Sequence, residues 1–212
     1  MLCLLLFILA AVPVMPAFAG DDVEYAPDQQ VMTLAEYLEK GGQEWFLTGK
    51  LEYSVQAMMV SRETKFHNEL EVVDYTVNDD GVTVVLKGTL GEMWTSGLSK
   101  VIATYTRPDG SEITAADFAE KDVFIDLITR AAPDTNYAMH VPNRVSVTVE
   151  TAWGNVLHTN LPNAPHGDGD FLVCRAGEDG HPDLSDVWVL NGNQFMLNYD
   201  TANLVPEDTE KQ

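Results

Sequence analysis

Cysteine is almost missing from this sequence. Of 2 in 212 residues, Cys3 lies in a leading apolar stretch, so only Cys174 belongs to the body of the protein. A single thiol cannot close an intramolecular disulfide. The fold must therefore rest on a hydrophobic core, unlike a small stapled secreted scaffold. Positive charge is scarce too: 12 Lys and Arg stand against 33 Asp and Glu, a formal net charge of −21. The acids are spread over both halves and not gathered in a tail. A field of that sign repels phosphate backbones, whose binding depends on Lys and Arg. Nucleic acid and anionic membrane surfaces are therefore not expected partners. Beyond residue 19 no apolar run approaches the roughly 20 residues that cross a bilayer. The sequence also lacks Gly-x-Ser-x-Gly, a phosphate-binding glycine loop, His-Glu-x-x-His and any His pair at zinc-ligand spacing.

What is present begins with the leader. Residues 1–19 contain no Asp, Glu, Lys or Arg, and residues 2–9 are almost purely apolar. Ala17-Phe18-Ala19 before Gly20 is the small-x-small pattern of a signal-peptidase site, and Asp21 and Asp22 follow at once. Residues 1–19 are read as a removable signal peptide, although only the α-amino group supplies charge ahead of the apolar stretch. The product is expected to be secreted or periplasmic and, after cleavage, to meet no membrane. What remains is long enough for one large domain or two small ones. A boundary at the Arg107-Pro108-Asp109-Gly110 turn divides it into a β-rich lobe at 20–112 and another at 113–205, with a disordered polar tail at 206–212.

The rest of the chain reads as short strands punctuated by turns. Thr33 followed by Glu36 makes a capping box for a helix over 33–40, stopped by Gly41-Gly42. Period-two alternation predicts strands near 51–59, 69–77, 82–90, 101–106, 145–151, 156–158, 171–175, 187–190 and 194–199. Asn78-Asp79-Asp80-Gly81 predicts a hairpin joining 69–77 to 82–90, and Asn191-Gly192-Asn193 one joining 187–190 to 194–199. Residues 113–131 are expected to start as a short helix and continue as a strand, and residues 132–143 to be a connection. The fold class is mainly β, with antiparallel sandwich or barrel-like sheets and one or two short helices.

Four groups of residues invite a functional reading. Asp168, Asp170, Asp179 and Asp183 lie in Gly-rich turns that could offer oxygens to Ca²⁺, which takes six to eight. Their spacing fails the EF-hand pattern, and Asp and Gly are also the ordinary residues of turns. Cys174 with His158, His166 or His181 could form a nucleophilic thiolate–imidazole pair, but it sits in an apolar strand without a feature to lower its pKa. Met139-His140 would add a metal ligand, again without pair spacing. Asp122 and Asp126, four apart, would share a face for acid–base chemistry if the segment were helical. Trp94 and Trp153 stand at turns, where an amphipathic ring can serve as a binding platform. These features favour a non-enzymatic binding or interaction module whose partner is an extracellular protein, peptide or glycan. The alternatives are a hydrolase using acidic residues or Cys174, and a calcium-stabilised structural domain.

Overall fold

A computed structural model describes residues 23–204, except 42, 69, 71, 72 and 165. The expected signal peptide and the polar tail at 206–212 lie outside the described residues. The elements, in chain order, are β1 (Gln30–Thr33), α1 (Leu34–Lys40), β2 (Phe46–Lys50), β3 (Ser54–Met58), β4 (Thr64–Asn68), β5 (Val73–Val77), β6 (Thr83–Lys87) and β7 (Met93–Gly97). They continue with α2 (Leu98–Thr104), β8 (Tyr105–Thr106), a 3-10 turn (Ala115–Phe118), β9 (Ile125–Thr129), β10 (Ala132–Pro142), β11 (Val145–Glu150), β12 (Val156–His158), β13 (Gly169–Ala176), β14 (Pro182–Leu190) and α3 (Gly192–Asn198). The protein is mainly β with short helices, as expected, and its sheets stay open.

The central sheet has the order β14-β13-β10-β2, all antiparallel. It is covered on both faces. On one face Met139, Val141, Leu172, Cys174 and Val187 pack against Val147 and Val149 of the β1-β11-β12 sheet and against Leu34 and Leu38 of α1. On the other, Ala138, Phe171 and Val173 pack against Phe195 and Tyr199 from the α3 region. Burial of both faces is why β13 reads as an unbroken apolar run instead of an alternating one. The second large sheet, β7-β6-β3-β9-β8, buries Val55, Ala57, Leu86 and Leu127 beneath α2 on one face. Its other face holds Met58, Val60 and Val85, with Val77 of β5. Strand β9, beyond residue 112, pairs with β3, so this sheet runs across the expected lobe boundary.

Several expectations need correction. Of the strand expected at 101–106, only Tyr105–Thr106 is a strand; residues 98–104 are helical because Leu98, Val101, Ile102 and Tyr105 face one core at helical spacing. Residues 192–198 are likewise a helix. Asn191 caps it by accepting the N–H groups of Asn193 and Gln194, so the expected hairpin turn is a helix start. Phe195 and Tyr199, four apart, stack at 5.0 Å, and Phe195 stacks on Phe171 at 3.9 Å. The 78–81 turn exists, but β5 pairs with β4 while β6 pairs with β3 and β7. Residues 132–142 are the longest strand and not a connection. Pro133 falls where the register with β2 shifts, a place that tolerates its missing N–H. The 33–40 helix stands as read: the Thr33 N–H donates to Glu36 Oε2 at 2.8 Å, and the Glu36 N–H donates to Thr33 Oγ1 at 3.3 Å.

One buried pair ties the ends of these strands together. Asp170 Oδ2 accepts from the Asn160 N–H (2.6 Å), and the Asp170 N–H donates to Asn160 Oδ1 (2.7 Å). Asn160 Nδ2 is within 3.0 Å of the carbonyls of Val141, Pro142 and Val145, and Asp170 Oδ1 accepts from the Gly192 N–H at the start of α3 (2.9 Å). Substituting Asp170→Ala leaves two buried N–H groups without acceptors and should cost about 3 kcal/mol. Urea unfolding checks this; an unchanged midpoint would mean the clasp contributes nothing.

Candidate functional site

The chain passes twice between the two large sheets, from β2 to β3 and from β9 to β10. Both crossings lie beside the place where the five-stranded sheet fails to close. Its outer strands are β7 and β8, and α2 joins them directly. Seven helical residues cover only about 10 Å, so α2 bridges the open edges instead of packing away from them. The Arg130 N–H donates to the Thr104 carbonyl (3.0 Å) and fixes the second crossing to the end of α2.

A cleft of about 290 Å³ opens at this seam. Trp94, Thr95 and Ser96 of β7 form one wall, Lys100 and Thr104 of α2 another, and Lys50, Arg130 and Ala132 complete it. Trp94 is half-buried: it packs against the core of the five-stranded sheet and also lines the cleft. Three of the chain's 12 lysines and arginines converge here, and no acid among the described residues lines the opening. Lys50 and Lys100 form no ion pair among the described residues. Arg130 is steadied by Glu112, 2.7 Å away. Burial, with the Lys100 charge adding to it, holds the Lys50 ammonium below the ordinary lysine range. An anion entering the cleft would offset the repulsion from Lys100 and favour the charged form of Lys50.

Of the residues selected from sequence, only Trp94 lines this cleft. Trp153 is 51 % exposed at the turn between β11 and β12, in a different sheet. The four candidate calcium ligands do not converge. Asp168 and Asp170 stand at the start of β13, Asp179 and Asp183 beyond its far end, and a strand of that length spans about 20 Å or more. Both oxygens of Asp170 are taken by backbone N–H groups, while burial pushes its carboxyl upward. Asp179 and Asp183 accept from the His181 and Ser185 N–H groups, as turn residues do. No three His, Cys, Asp or Glu side chains among the described residues are grouped to hold a metal ion. Asp122 and Asp126 do not share a helix face. Asp122 sits in a turn, where it accepts from the Ser61 N–H, and Asp126 lies on β9 opposite Gln56.

Lys50, Lys100 and Arg130 were not legible as a group, because nothing in their spacing signals that they meet. No family model, curated protein or solved structure matches the chain.

Cys174 is fully buried on β13, and burial pushes its thiol up to about 12. A disulfide-exchange thiol reagent should leave the native protein unlabelled and label it fully in denaturant. Rapid labelling of the native protein would restore Cys174 as a candidate nucleophile.

Proposed function

We propose that the protein is an exported, non-enzymatic binding module that holds an anionic partner in the Trp94 cleft. Export rests on the signal-peptide character of residues 1–19 and implies a secreted or periplasmic setting. The binding reading is carried by one observation: Lys50, Lys100 and Arg130 are gathered in an opening that no carboxylate among the described residues lines, on a chain of net charge −21. Elsewhere the excess of acids would turn an anion away. In the cleft, two cations form no ion pair among the described residues and one is partly desolvated, so an incoming carboxylate meets charge that no protein carboxylate has neutralised. The indole of Trp94 supplies an apolar surface beside those charges. Among the expected partner classes (extracellular protein, peptide or glycan), these features favour one that combines negative charge with a flat apolar face.

Galacturonate, glucose and spermidine, titrated separately while the indole fluorescence is followed, test this reading. Galacturonate should bind, and glucose and spermidine should not. Lys100→Glu, a change at an exposed helix position, should weaken galacturonate at least tenfold, and added salt should weaken it as well. Because the Lys50 pKa is lowered, affinity should decline as pH rises through that lowered value, before an ordinary lysine would lose its charge. Equal binding of the neutral sugar, or indifference to Lys100→Glu, would contradict the proposal.

A further inference from the structure

The cleft does not end at Lys50. A second hollow of about 300 Å³ lies beside it, lined by Lys50, Ala132, Thr135, Asn136 and Arg175. Lys50 and Ala132 line both openings, so the two adjoin at the lysine side chain. The register of the central sheet gives the span. Asn136 lies opposite Thr48 on β2 and opposite Arg175 on β13, so Arg175 stands two strand spacings, about 10 Å, from the β2 backbone. Cations therefore follow one another along a single track: Lys100 with Arg130, then Lys50, then Arg175. Neither hollow is lined by an acid among the described residues. Arg175 is oriented by Asp186 at 3.6 Å, a long contact that leaves donors free.

A small anion would occupy one hollow and leave the charge of the other unmatched. Building on the binding role proposed above, we infer that the ligand is an extended acidic oligosaccharide, with successive carboxylates meeting Lys100, Lys50 and Arg175. The non-electrostatic lining decides between a sugar and an acidic peptide. Trp94 offers a ring surface suited to the C–H face of a pyranose. On the same face of β7 the hydroxyl of Ser96 makes no hydrogen bond among the described residues, and so is available to a sugar hydroxyl. A run of acidic peptide side chains would match the charges but would place no ring on the indole. The surrounding negative field limits the benefit of length, because a chain longer than the track pushes its remaining carboxylates against the acidic surface.

Calorimetric titration of the intact protein with galacturonic acid, its trimer and its hexamer, and with hexaglutamate and a neutral maltohexaose, tests the inference. Affinity should rise at least tenfold from monomer to trimer and then level off. Hexaglutamate should bind more weakly than hexagalacturonate, and maltohexaose should not bind. Arg175→Ala, at an exposed side chain, should weaken the hexamer while leaving the monomer unchanged; Lys100→Ala should weaken both. If the monomer binds through Lys100 while length and Arg175 have no effect, the extended ligand is overturned and the anion-binding cleft survives. Tighter binding of hexaglutamate would also overturn the sugar. If none of the acids binds, both readings fall.

Discussion

Gly49 has no side chain, and the junction between the two large sheets depends on that. A Cβ at this position would stand 2.1 Å from the Ala132 carbonyl oxygen and 2.7 Å from the Asp134 nitrogen. Backbone approach this close is what lets β10 shift its register against β2 between Ala132 and Asn136. The shift accommodates Pro133 and the left-handed backbone of Asp134, φ 54°. It also brings Ala132 against Lys50 at the end of β2. Both hollows of the charged groove border on this point. A feature that looks like a local irregularity of one strand pair thus sets the position of the site.

The remaining architecture holds that junction in place. The central sheet is buried on both faces, by the smaller sheet and α1 on one and by the aromatic stack of Phe171, Phe195 and Tyr199 on the other. Such burial stabilises the sheet without a cross-link, and Cys174 within it is a free, buried thiol. Helix α3 is bonded to segments that lead into the five-stranded sheet: the Leu51 N–H, between β2 and β3, donates to the Asn198 carbonyl, and Gln194 Nε2 donates at 2.9 Å to the buried Glu92 carboxylate just before β7. Burial raises the Glu92 pKa, so its hydrogen bonds to Gln194 and the Leu90 N–H are what keep an acid tolerable there. Between β7 and β8, the outer strands of the five-stranded sheet, α2 is the direct connection.

The sequence was legible where one local rule dominated. Alternation located β3, β6 and β11, and the Thr33–Glu36 capping box located α1. It misled where two periodicities fit the same short run. Val101 and Tyr105, and Phe195 and Tyr199, satisfy strand alternation as well as helical spacing; tertiary packing places Val101 and Phe195 in helices that end just before Tyr105 and Tyr199. Residues 132–142 looked like a connection because Pro133, Asp134 and Pro142 are turn-forming types, yet they fall at the ends and bulge of a strand whose partners are distant in sequence. The same remoteness hid the site. Trp94 drew notice as a turn-adjacent ring, but positions 50, 100, 130 and 175 meet only through the crossings between sheets, and no linear pattern marks them. Asp170, chosen for its acidic Gly-rich setting, turned out to spend its carboxylate on backbone N–H groups.

The central claim is that the charged seam beside Gly49 is where this protein meets its ligand. Mapping backbone-amide and indole NMR shifts during titration with galacturonate tests it most directly. The account predicts perturbations confined to Trp94, Lys100 and residues 130–132, with Lys50 among the strongest. Shifts centred instead on the Trp153 turn, or on the acidic turn around Asp179 and Asp183, would contradict it.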